Sequence, residues 1–173
     1  MNAEELVGLA LRVSEVGMRA GELPVGAVVL LGDEVIGRAY TQERAQGRRL
    51  VHADLLAMEQ ADRHLGWRPR DRPLTLAITL EPCLMCLGAA MVLGVSRIVY
   101  GLEAPGDGAA GIPAVWQPAR QDMPFSRIPA MTGGFRRREC RDQFRRFAET
   151  TTNPALRRYA ASMAALPDDV TNV

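Results

Sequence analysis

LTLAITLEPCLMCLGAAMVLGVSRIVYG, residues 74–101, holds two short apolar runs on either side of a helical one. Residues 74–80 carry the β-branched Thr75, Ile78 and Thr79, which suits a buried strand. Glu81-Pro82 breaks that run, and residues 83–93 read as a helix that starts on Pro82, whose fixed φ favours a first turn. Gly94 closes the helix, and residues 96–101 form a second strand. Strand, crossover helix and strand make a parallel pair with a right-handed connection. The chain is therefore expected to be α/β.

Upstream, Leu6, Leu9, Ala10, Val13, Val16 and Gly17 recur at helical spacing over residues 3–20, with Gly21 and Pro24 ending that helix. Two β-rich runs, 25–31 and 34–40, flank Gly32-Asp33 and read as a hairpin. Residues 41–50 are polar and loop-like, and a helix follows over 51–65. Downstream, 103–121 hold much Gly and Pro and read as loop. Residues 125–131 suit a short edge strand, since Pro129 is unsuited to a central one. Helices are expected over 135–148 and 153–165. An antiparallel hairpin joined to parallel strands predicts one domain: a three-layer α/β/α sandwich around a mixed five-stranded sheet. Its boundaries are 1–150 for the domain and 151–173 for a C-terminal helix and tail.

A chain of 173 residues that is 47% hydrophobic can bury one good core. It has no run of the roughly 18 apolar residues needed to cross a membrane. Its acidic amphipathic start lacks the basic, then apolar, order of a secretory signal. A cytoplasmic protein with no membrane contact is expected. The net charge is +1, but it is unevenly spread. Two Arg meet six acids over residues 1–37, whereas ten Arg meet four acids over 120–158. The basic end is a candidate phosphate-contacting face.

The chemistry centres on His52-Ala53-Asp54 and Pro82-Cys83-Leu84-Met85-Cys86. A C-x-x-C alone suits metal or redox chemistry, and three cysteines in such a chain do not suggest a disulfide framework. At a helix start both sulfurs can meet one ion, and the helix terminus favours thiolate. Zn²⁺ prefers thiolate and imidazole, so His52, Cys83 and Cys86 are the candidate metal ligands. His64 lies three turns along the same helix and is poorly placed to join them. Cys140 is expected to be a buried helix residue. Three ligands leave a fourth position for water, which marks a catalytic rather than a structural zinc site.

These residues resemble the zinc deaminase signature H-x-E…P-C-x-x-C. The chain is similar to the cytidine deaminase-like superfamily, and most to bacterial tRNA adenosine deaminases, with guanine deaminases close. The finer likeness rests on ELPVGAV at 22–28, TLEPC at 79–83, SRIVYG at 96–101 and GAAG at 108–111. It implies a hydrolytic enzyme acting on an exocyclic amine, with Asp54 as the catalytic proton shuttle and Zn²⁺ as the cofactor. It also implies substrate contacts at Thr41, Ala53 and Pro82, and a homodimer. The helix over 135–148 offers RNA contacts, with Arg137, Arg141 and Arg145 for phosphates and Phe144 for base stacking.

Two positions depart from the family pattern. Asp54 stands where the family has Glu, one methylene shorter. Thr41 stands where Asn is typical, and one hydroxyl cannot replace an amide's paired donor and acceptor. Leu50 and Val51 are bulkier than the Thr-Ala usual in the tRNA enzymes. Three readings follow: a tRNA adenosine deaminase, a deaminase of a free purine base or nucleoside, and a non-catalytic zinc-stabilised partner subunit.

Overall fold

A computed structural model describes residues 1–120 and 127–168. Asn2 opens the first helix, α1 (Ala3–Arg19), through a capping box in which Asn2 and Glu5 serve each other's backbone N–H. Strands β1 (Gly26–Leu31) and β2 (Glu34–Tyr40) form the expected hairpin, with Gly32 at φ 61° in the turn. A one-turn helix, α2 (Glu43–Gln46), interrupts the stretch expected to be loop. Helix α3 (Ala53–Leu65) follows, with His52 as its N-cap. Next come β3 (Leu74–Leu80), α4 (Leu84–Leu93) and β4 (Val95–Leu102).

The remaining elements are α5 (Ile112–Val115), β5 (Ala130–Thr132), α6 (Arg137–Thr150) and α7 (Pro154–Ala164). The edge strand expected over 125–131 sits later, at β5, and residues 125 and 126 fall outside the described residues. Helix α6 starts two residues late because Gly134 and Arg136 both take positive φ and turn the chain before it. Helix α4 starts on Leu84 with Cys83, not Pro82, at its boundary.

The sheet order is β2-β1-β3-β4-β5. β1 pairs antiparallel with β2 and β3, while β3, β4 and β5 run parallel. Alternation along the strands builds two cores. Ala27 and Val29 of β1 with Leu76 and Ile78 of β3 face α3 and α4. Val28, Leu30 and Ala77 face α1, α6 and α7. The expected three layers and mixed five-stranded sheet are therefore present.

Two glycines set how close the layers come. A Cβ on Gly37 would lie 2.1 Å from the Ala57 carbonyl oxygen, so only glycine lets α3 settle on β2. A Cβ on Gly101 would lie 2.2 Å from Cys140 Sγ, which places that thiol in the core against β4. Burial pushes the Cys140 thiol up to about 12, so it is inert, as the sequence suggests.

Candidate metal centre and base pocket

The starts of α3 and α4 meet at the end of β3, the central strand of the sheet. Cys83 and Cys86 stand on the first turn of α4, and His52 stands just before α3. Cys83 Sγ is 3.5 Å from Cys86 Sγ. His52 Nδ1 lies 3.8 Å from Cys83 Sγ and 3.6 Å from Cys86 Sγ. Bond lengths of about 2.3 Å to sulfur and 2.0–2.1 Å to nitrogen give tetrahedral edges of about 3.6–3.8 Å. The triangle of donors thus fits zinc, with the fourth corner left for another ligand. Among the described residues, His52, Cys83 and Cys86 are the group of metal-ligating side chains close enough to share an ion.

Outer contacts orient the ligands. His52 Nε2 is 3.9 Å from Glu43 Oε1, which leaves Nδ1 facing the sulfurs. Hydrogen bonds from Cys86 and His52 hold the Cys83 thiol down at about 4, so a thiolate is ready for a cation at neutral pH. Cys83, Asp54 and Glu43 raise His52 to about 9, led by its hydrogen bond with Cys83.

Asp54 is buried beside this cluster, its Oδ1 2.9 Å from Cys86 Sγ and accepting from Leu55 N at 3.1 Å. Burial pushes its carboxyl above the usual carboxylate range. The structure therefore brings Asp54 to the metal-ligand cluster despite its short arm.

A cavity of about 250 Å³ opens onto the cluster. Thr41 and Ala53 are among its lining residues. Pro82 is not: it is buried, and its carbonyl accepts from Ala109 N at 2.9 Å. Its part is to tie the 108–111 loop to the start of α4.

Several lining residues carried no assigned role in the sequence. Glu81 accepts from Ala104 N at 3.0 Å and Ala110 N at 2.7 Å, and so shapes one wall. Gly108 makes this possible, since a Cβ there would strike the Glu81 carboxylate at 2.4 Å. Glu22, 2% exposed, accepts from Ala45 N at 2.6 Å and Arg44 N at 3.2 Å, fixing the turn that carries Glu43. Both acids lie within the stretches ELPVGAV and TLEPC, the one available signal for them. Asp107 and Tyr159 complete the rim. No local pattern points to Tyr159, since it arrives from α7, across the fold.

The expected RNA contacts need correction. Phe144 is fully buried, its ring edge-on to Tyr159 at 6.2 Å, so it offers no face to a base. Arg137 and Arg141 are 8% and 7% exposed. Arg137 pairs with Glu103 and Arg141 with Asp168, so both guanidinium groups serve internal contacts. Arg145 is exposed and pairs with Asp142 on its own helix. The sequence showed a basic helix, but not which of its arginines turn inward.

The chain matches the model of the cytidine and deoxycytidylate deaminase zinc-binding region over residues 1–102. It is 36% identical over 103 residues to a tRNA-specific adenosine deaminase of Bacillus subtilis, covering 59% of this chain and 63% of that protein. It is 43% identical over 106 residues to a tRNA(Ile)-lysidine synthase of Deinococcus radiodurans, covering 61% of this chain and 18% of that one. The chain thus spans less than two thirds of either relative's length. A solved structure from a study of A-to-I editing by tRNA:A34 deaminases at the wobble position of transfer RNA superposes with a TM-score of 0.68. It is 29% identical and covers 80% of this chain and 98% of that one. With the family model spanning more than half of the sequence and the donor triangle in place, the chain belongs to the cytidine and deoxycytidylate deaminase zinc-binding family.

Proposed function

We propose that the chain is a zinc-dependent hydrolytic deaminase that removes the exocyclic amine of a free purine base or nucleoside. The observation that carries this reading is the pocket itself. Its lining includes His52, Cys83 and Asp54, its volume of about 250 Å³ suits one base, and Glu43, Glu81 and Asp107 are the other acids that line it. Of these Asp107 is exposed, and a phosphodiester beside it would meet like charge. Tyr159 narrows the opening further.

His52, Cys83 and Cys86 would hold a zinc ion whose part is to lower the pKa of a water from 15.7 to about 7, so that a nucleophile is at hand at neutral pH. Asp54 is placed to take the first proton of the attacking water to the ring nitrogen and the second, from the hydroxyl then on the carbon, to the departing amine. A carbon–oxygen bond forms, the carbon–nitrogen bond breaks, and ammonia leaves. Ala53, Thr41 and Ile78 border the base, and the pocket wall limits bulk water around it.

A second reading, deamination of adenosine within tRNA, is favoured by the Bacillus subtilis relative. An ammonia-release screen of adenine, guanine and cytosine, their nucleosides and tRNA, with zinc-loaded protein, separates the two. Turnover of a base or nucleoside is expected. Turnover of tRNA alone would replace the first reading with the second, and no ammonia from any compound would favour the non-catalytic one.

A second copy of the chain is the proposed partner, through the outer side of α4. Leu84 and Val92 are exposed on that helix, and Val115 and Trp116 stand exposed nearby. Between them Gly88 leaves open space for a close approach. A helix apolar on every side seeks further burial. Val92→Glu should shift sedimentation from two chains to one; an unchanged profile would exclude this face. The free thiols suit the reducing cytoplasm, and among the described residues no helix is long and apolar enough to cross a membrane.

A further inference from the structure

Tyr159 reaches the pocket from a helix whose sequence lies far from the metal ligands, so something must hold α7 there. Its apolar side supplies part of the answer, with Ala160 and Met163 buried against the core shared with α6. The Tyr159 ring rests on the edge of Phe144. The polar part lies past the end of α7. Arg137 Nη1 donates to the Pro167 carbonyl at 2.6 Å and to the Asp168 carbonyl at 3.1 Å. Arg141 Nη1 donates to the Leu166 carbonyl at 2.8 Å, and its Nη2 to the Asp168 carboxylate. Arg137 also grips Glu103, just beyond β4, through Nε at 2.7 Å.

The residues that leave α7 are thereby tied both to α6 and to the end of a central strand. Both guanidinium groups are more than nine-tenths covered, where hydrogen bonds from a charged donor are strong and costly to leave unmade. The Glu103 carboxyl is held below its usual range by Arg137, and the exposed carboxyl of Asp168 by Arg141.

We infer that Arg137 and Arg141 are positioning residues: by clamping residues 166–168 they fix α7 so that Tyr159 covers the base pocket and limits what enters it. This rests on the proposed deaminase reading for its effect on substrate, but the clamp itself is testable without turnover. Neither arginine belongs to the metal-ligand group or to the residues that line the pocket, so the effect on substrate is routed through α7 and Tyr159.

The test uses zinc-loaded protein in four forms: unaltered, Arg141→Gln, a chain ending at Ala165, and Tyr159→Ala. Hydrogen exchange over residues 154–164 should speed up by about tenfold in the Gln and shortened forms, with β3 and α3 unchanged. Zinc content should stay at one per chain. KM for the best small base should rise about tenfold in those two forms, with kcat within about twofold. Tyr159→Ala should show the same KM rise with a smaller rise in α7 exchange than either clamp form, since it removes the ring contact with Phe144 but leaves the clamp. Unchanged exchange over 154–164 in both clamp variants would overturn the inference, as would exchange rising equally across the sheet. If the unaltered chain turns over no base at all, the deaminase reading fails, and exchange still decides the clamp.

Discussion

Asp54→Ala lowers turnover by about 10²–10⁴-fold, the usual contribution of a positioned acid–base group, while zinc stays bound at one per chain. The expectation follows from where Asp54 sits. It is 2% exposed, lines the pocket, and lies within reach of Cys86 without being one of the three metal ligands. Burial holds its carboxyl above the usual carboxylate range. Asp54→Asn keeps the shape but cannot carry a proton, so it should lose as much as Ala. Asp54→Glu restores the carboxyl, moved by about 1 Å, and should keep turnover to within about a hundredfold. Ammonia release and metal analysis on the same samples check all three. Full turnover by the Ala variant would remove Asp54 from the chemistry.

The second large effect is that of the metal on stability. Two thiols and an imidazole within 3.8 Å of one another form a site that the unfolded chain does not hold. A ligand present at a thousand times its dissociation constant adds about 4 kcal/mol to folding. For a chain of this size that corresponds to a fall of about 8–16 °C in Tm on chelation. The protein should nonetheless stay folded, because both hydrophobic cores form from strands and helices that do not depend on the ion. Adding zinc back should restore Tm and turnover together, and His52→Ala should behave like the chelated protein. An equal Tm with and without chelator would argue against a bound zinc at these three residues.

The layers and the metal ligands were legible because their signals are local. The run of residues 74–101 carries its strand, helix and strand in plain periodicity, and C-x-x-C at a helix start fixes two donors by spacing alone. His52 was legible by its neighbours and by resemblance. What could not be read depends on contacts made across the fold. Whether Arg137 points to solvent or to Glu103 is decided by the packing of α6 on β4, and an amphipathic pattern rich in Arg does not distinguish the two. The turn that places Glu43 is set by the buried carboxylate of Glu22, more than twenty positions away. Tyr159 is the furthest case, since its role comes only from the docking of α7.

The order of these parts along the chain bears on how the metal enters. All three zinc-binding side chains fall between residues 52 and 86, and the parallel strand that completes their support ends at Leu102. Tyr159 comes more than seventy positions after Cys86. At about 5–20 residues per second, a ribosome takes several seconds to make that stretch. A sheet that folds as it emerges would offer the three metal ligands to an ion before α7 has been made.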